Sequence, residues 1–284
     1  MGCIKVLNER LVFADIQTMN NQPISRPGLG LLGASIIIAA LWGCNGGIMK
    51  PGDNDALYRL TGLISVDPNI SKTKAVADLQ VDTLPAVGAT VKLDGSTLTF
   101  DRAGFSVDSV FSTEWNSIIQ FSAGNHTYLA SDSTDLSAQA AVATLPGTVA
   151  ITGVTPPNRI SNGNELVKLD WFGGSGATGF VVAAVLRTQA YSGAGYSTYA
   201  TSQTATTFPR EAFYQSNPNI PDTGWYYLYV YAFGGSPDSV LSEATLPVRM
   251  PSQLADNITS QTLSGHVGGV MISVHDSVHI TLEP

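Results

Sequence analysis

The sequence predicts an all-β protein, two tandem β-sandwich domains behind an N-terminal export segment. Three observations carry this reading. Short runs of alternating apolar and polar residues recur from Tyr58 onward, the period of strands rather than helices. Turn residues separate those runs at the spacing of sandwiches, with Gly 28 and Pro 15 in 284 residues. One stretch, Leu29–Trp42, is almost wholly apolar and is unlike anything after it.

That stretch comes first. As a helix its residues span about 21 Å, short of the roughly 30 Å hydrocarbon core. It has the length of a signal-peptide apolar region, with Arg26 ahead of it as a thin positive flank. Its end, "LWGC" at Leu41–Cys44, resembles the bacterial lipobox, with Trp42 bulkier than the usual small residue. The resemblance implies that 1–43 is removed, that Cys44 carries lipid, and that 44–56 is a glycine-rich tether. Met19 makes a more ordinary start than Met1, because residues 1–18 over-lengthen the polar flank. By resemblance to Gram-negative lipoproteins, Asn45 in place of a retention Asp implies the outer membrane, reached through the N-terminal lipid.

The first sandwich is expected over 57–147. "YRLTGLISVD" opens it. In "ATVKLDGSTLTF", Val91 and Leu93 share a face, Asp94-Gly95 makes a hairpin turn, and Leu98 and Phe100 resume the apolar face. Phe105, Val107 and Val110 mark the next strand, a pair follows around Ala123–Asn125, and "SAQAAVATLPG" closes the unit.

The second sandwich is expected over 148–250. "ELVKLDWFGGSGATGFVVAAVL" reads as two strands joined by a glycine turn, "TATTFPREAF" as a short strand and a corner, and "DTGWYYLYVYAFGG" as a long strand. In the last, Tyr226, Leu228, Val230 and Ala232 share one face, and Tyr227, Tyr229 and Tyr231 the other. The tail, 251–284, reads as a hairpin turning at "HDS" and packing on the second domain.

Val167, Leu169 and Trp171, then Phe180, then Tyr-x-Leu-x-Val-x-Ala from Tyr226 resemble the fibronectin type III pattern. The resemblance spans about 148–248 and implies that Trp171 is a core residue and Tyr226 a tyrosine corner. The first unit resembles bacterial immunoglobulin-like modules.

The net charge of −8, with scattered Lys and Arg, argues against nucleic acid. The two cysteines, Cys3 and Cys44, precede the body, so no disulfide framework and no cysteine nucleophile is expected there. His266, His275 and His279 could meet a metal only if the tail did not reverse between them, and no metal or cofactor is expected. "DSTD" (Asp132–Asp135) and "GDND" (Gly52–Asp55) lack the length and closing Glu of a calcium loop. Neither a nucleophile elbow nor a phosphate loop is present.

The expected function is a non-catalytic, lipid-anchored envelope module for binding, adhesion or spacing, with envelope proteins or glycans as partners. The alternative is a carbohydrate-binding module that uses Tyr227, Tyr229 and Tyr231 as an exposed platform, unless the tail lies over them. A hydrolase with an unrecognised site is the remaining reading.

Overall fold

Among the described residues the longest strand is also the last. The computed structural model describes residues 58–281, apart from 102–109, 116–120, 134, 157–158, 162–166, 238–240, 242–244 and 252–255. The expected export segment (1–43), Cys44, the expected tether (44–56), and Phe105 and Val107 lie outside the described residues.

The first half contributes β1 (Tyr58–Asp67), β2 (Lys72–Val81), β3 (Leu84–Pro85), β4 (Thr90–Leu93), β5 (Ser96–Thr97), β6 (Thr99–Asp101), β7 (Val110–Trp115), β8 (Gly124–Ser131) and β9 (Gln139–Leu145). The second half contributes β10 (Val149–Thr155), β11 (Arg159–Ser161), β12 (Val167–Gly173), β13 (Gly179–Leu186), β14 (Tyr196–Tyr199), β15 (Ala205–Phe208), β16 (Gly224–Gly235), β17 (Ile258–Thr259) and β18 (Leu263–Thr281). Among the described residues there are also two single 3₁₀ turns, Arg187–Gln189 and Arg210–Phe213, and helical residues at Leu241 and Thr245.

One long sheet runs β14-β13-β16-β18-β1-β2-β7-β6, with β11 and β17 joined to β18 and β3 to β2. Two small sheets, β5-β4-β8-β9 and β10-β12-β15, face it. A continuous core links the long sheet to both: Leu60 and Ile64 of β1, Tyr128 of β8, Trp171 of β12 and Val230 of β16 belong to it. The opposite face of the long sheet has its own core. There Leu63, Val181, Tyr231 and Ile272 pack with Leu241, Leu246, Val248 and Met250. Strands β13 and β16 are therefore buried on both sides, and their apolar runs lack a polar alternate.

The expected boundary at 147/148 falls between β9 and β10, where the two small sheets part. The long sheet crosses it, and residues 54–284 form one compact unit. The bridge is β18. Its first half lies parallel to β1, from Tyr58↔Leu263 to Val66↔Met271. Its opposite edge is antiparallel to β16, from Gly235↔Gly268 to Gly224↔Ile280. Two close approaches fix this junction. Gly265 sits at φ +119°, and a Cβ there would overlap the Leu60 carbonyl oxygen. Gly234 and Gly269 let β9 come so near that a Cβ on either would meet the carbonyl oxygen of Thr144.

The tail is thus one strand, not the hairpin that "HDS" suggests. Tyr226 pairs with Val278 and Leu228 with His275, so β18 carries one extra residue between them. This bulge shifts the side-chain parity. Leu263, Val267 and Met271 face the larger core, and beyond the bulge the even-numbered Val278 and Ile280 do. Strands β2, β10 and β14 also form where the sequence pattern marks none.

Several expectations are met by position. Asp94 (φ 48°) and Gly95 (φ 82°) make the β4–β5 turn, and Val91, Leu93 and Leu98 are buried. Trp171 is buried against Phe180, ring centroids 5.7 Å apart. The Tyr226 hydroxyl donates to the Asp222 carbonyl oxygen, 2.9 Å away, four residues upstream.

Candidate functional site

The tyrosine row is the natural place to begin. Tyr227, Tyr229 and Tyr231 do lie on the face opposite Tyr226, Leu228 and Val230, with neighbouring ring centroids 6.1 and 5.8 Å apart. They do not form an open platform. Tyr229 is 3% and Tyr231 0% exposed, and Tyr227 is half-buried with the Arg187 guanidinium 5.6 Å from its ring centre.

What covers them is not the tail but the segment before it. Leu241, Leu246, Val248 and Met250 belong to the same core. The segment is tied down along its length. Tyr191 N–H donates to Pro247 O (3.1 Å), Ser197 Oγ to Arg249 O (2.6 Å) and Tyr199 OH to Pro251 O (2.9 Å). The segment behaves as a strap over the sheet. Burial pushes the Tyr231 phenol well up, with Tyr229 and Asp67 adding to it. Its hydroxyl has no partner at hydrogen-bonding geometry among the described residues, although the Val248 backbone amide approaches it.

Beyond Leu63 and Val76, toward the β1–β2 turn, the same face becomes polar. Cross-strand pairing sets Asp67 opposite Lys72 and Ser65 opposite Lys74. Residues two apart share a face, so Ser65 and Asp67 continue the side of the sheet that Leu63 occupies. These four side chains border a cavity of about 160 Å³. Ile272 also borders it, Thr245 enters from the strap, and Tyr191 and Ile70 stand at its rim.

The cavity is built around Asp67, which is 6% exposed. Its Oδ1 accepts from the Asn69 backbone N–H (3.0 Å) and from Asn69 Nδ2 (2.9 Å). Among the described residues its Oδ2 receives one long bond, from Tyr191 OH, 3.4 Å. A carboxylate offers about four acceptor sites, so Oδ2 keeps capacity toward the cavity. Tyr191 is held at φ 64°, a conformation bulky residues rarely adopt. The residue is 54% exposed while its hydroxyl turns inward to Asp67. Its hydroxyl pKa is pushed up to about 12, first by burial and then by the Asp67 charge.

Sequence reading missed this cavity. Its parts lie at 65–74, 191, 245 and 272, and only the β1–β2 hairpin pairing could have placed the first four together.

The histidines are dispersed. His266 is buried on β18, its Nδ1 3.3 Å from Asp256 Oδ1. Asp256 also takes both terminal nitrogens of Arg59, at 2.8 and 3.1 Å, and that guanidinium holds its carboxyl below the usual carboxylate range. His279 stacks on Trp225 at 4.5 Å, and His275 lies across the bulge from it. His126 ties β8 to Asp94, 2.6 Å away. Among the described residues no group of three His, Cys, Asp or Glu gathers as a metal site. No helix among them is long and apolar enough to cross a membrane.

Three strands facing four, β10-β12-β15 against β14-β13-β16-β18, with a tyrosine corner on β16, define an immunoglobulin- or fibronectin-like β-sandwich. No family profile matches the chain, and no curated protein does. Among solved structures it is similar to an I-band fragment of titin, at 11% identity and TM-score 0.21, covering 81% of this chain and 64% of that one. It is also similar to a tandem pair of titin Ig domains, at 9% identity and TM-score 0.20, covering 80% of this chain and 95% of that one. The chain spans just under two thirds of the I-band fragment's length.

Proposed function

We propose that this protein is a lipid-anchored envelope protein whose non-catalytic β body serves as a binding or spacing module at a bacterial outer membrane. The observation that carries the reading is the apolar run Leu29–Trp42 ending at Cys44, a short tether ahead of the first strand at Tyr58. Acyl chains contribute roughly 0.8 kcal/mol per buried CH₂, so several on one cysteine hold a protein at a bilayer surface. The continuous long sheet supports the spacing half of the reading, because a body with one shared sheet does not bend at a linker.

The carbohydrate reading that rests on an open row of Tyr227, Tyr229 and Tyr231 is withdrawn, since the strap covers two of the three rings.

Replacing Cys44 tests the anchor. Cys44→Ser should leave the membrane pellet and incorporate no radiolabelled palmitate, whereas the wild type stays in the pellet and takes up label. A mutant that pellets with membranes and takes up label as the wild type does overturns the reading.

A further inference from the structure

We propose that strand β14, an open edge of the long sheet, pairs with β14 of a second copy of this chain, antiparallel and centred on Thr198, so that two sheets become one. This goes beyond the anchored-module reading and does not depend on the lipid.

The inner side of β14 is used up. Tyr196, Ser197, Thr198 and Tyr199 pair with β13, and Ala200 N–H donates to Phe180 O across 2.8 Å. Backbone direction alternates along an antiparallel strand. Ala200, Thr198 and Tyr196 therefore turn inward, and the N–H and C=O groups of Ser197 and Tyr199 point away from the sheet. No backbone hydrogen bond from the described residues reaches those outward groups. The strap takes the side-chain hydroxyls of the same two residues, at Arg249 O and Pro251 O, and leaves their backbone.

Sheet edges are ordinarily blunted by charge, proline or brevity. Edge strand β5 is two residues long, β6 is three and ends at Asp101, and the Ile151 N–H of β10 is occupied by Ser273 Oγ at 3.2 Å. Strand β14 is longer than β5 or β6 and carries no charge. No Asp, Glu, Lys, Arg or His occurs from Thr188 to Pro209. The same run supplies β15, the end of the three-stranded sheet. Tyr196 of β14 meets Phe208 of β15, ring centroids 6.5 Å apart, so both sheets end together on uncharged strands.

Charge and register name the occupant. Two chains of net charge −8 repel each other as wholes, and β14 itself adds no charge against its own copy. The strand is also self-complementary. About a two-fold axis through Thr198, Ser197 lies opposite Tyr199 of the second copy and Tyr199 opposite its Ser197, each pair exchanging both backbone bonds. Thr198 then meets Thr198 on the axis, a favoured cross-strand pair. An interface of one edge is small and belongs to the weak, reversible class.

The full-length chain with Cys3→Ser and Cys44→Ser keeps no thiol and is the test background. Sedimentation at rising concentration should carry it from monomer toward dimer. Thr198→Cys adds a thiol on the axis, where facing Cα atoms lie about 4.5 Å apart, within disulfide reach. Mild oxidation should link it at least about tenfold faster than a thiol outside the interface, such as Val142→Cys on β9, whose native residue is 53% exposed. Ser197→Pro removes an outward N–H and spares the bonds to β13. Thr198→Lys sets two ammonium groups opposite each other. Each of these two should weaken the dimer about tenfold or more. Melting curves show which variants are folded, and the cysteine pair decides if neither is. A background chain that stays monomeric to about 1 mM, equal linking at Thr198→Cys and Val142→Cys, or a folded Ser197→Pro or Thr198→Lys that dimerises as before overturns the proposal.

Discussion

The Tyr226 hydroxyl donates to the Asp222 carbonyl oxygen across 2.9 Å, pinning the start of β16 to the loop that leads into it. Burial pushes this phenol well up, with the Asp222 charge adding to the effect. Tyr226→Phe keeps the ring in its T-shaped contact with Phe213, 5.2 Å away, and deletes only the bond. It should destabilise the protein by about 1–2 kcal/mol, because the carbonyl loses its partner in a half-dry site. Urea titration of both proteins reads this directly. An unchanged midpoint would mean that water replaces the phenol without loss.

Trp171 separates packing from polarity. Trp171→Ala empties a buried indole and should destabilise by about 3–5 kcal/mol. The indole Nε1 has no hydrogen-bond partner among the described residues. Trp171→Phe removes that unpaired donor as well as some volume, so its loss should be well under half of the alanine value. Equal losses in denaturant titrations would show that Nε1 is satisfied and that the loss of its bond, not of ring volume, sets the cost.

The junction predicts cooperative melting. Gly265→Ala places a methyl against the Leu60 carbonyl at a positive φ, a strain of order 1–3 kcal/mol before the clash is counted. Because β18 belongs to both sandwiches, calorimetry of the wild type should show one transition. Gly265→Ala should lower that transition as a whole. Two separate peaks, or a shift confined to one, would mean that the halves melt independently.

Alkaline pH gives a further test. The ordinary tyrosine value is about 10, and Tyr191 stands at about 12 in the folded protein. Tyr128 and Tyr231, both fully buried, are also raised, chiefly by burial. The folded state therefore holds protons that the unfolded state releases. Stability is fully present below about pH 10 and falls as pH rises from there through about 12. Native tyrosinate absorbance should lag that of the urea-unfolded chain and catch up only when the fold is lost. A native titration that overlays the unfolded one would refute these environments.

Much of this was legible from period and turn chemistry. Tyr226, Leu228 and Val230 read correctly because one face of β16 repeats every second residue, and Asp94-Gly95 read correctly because few other turns accept two positive φ angles. The strap was not legible. Leu246, Val248 and Met250 do repeat every second residue, but Pro247 interrupts the run and nothing local says that it covers Tyr229 and Tyr231. The tail misled for a related reason. A bulge and a turn both interrupt alternation, and only the pairing of Val278 with Tyr226 tells them apart. Strand β2 escaped because Ala75, Val76 and Ala77 are buried on both faces and leave no alternation to see.

The parallel pairing of β1 with β18 also governs the order in which the protein can be made. Ser264 Oγ donates to the carbonyl of Tyr58, 206 residues earlier. The first strand emerges from the ribosome long before the neighbour that completes its edge exists. Contacts of such separation form late and slowly. Until Leu263 and the residues after it are synthesised, β1 has no partner on that side and the larger core is missing a wall. An edge that is completed only when β18 appears stays open while the two hundred or so residues between them are being made.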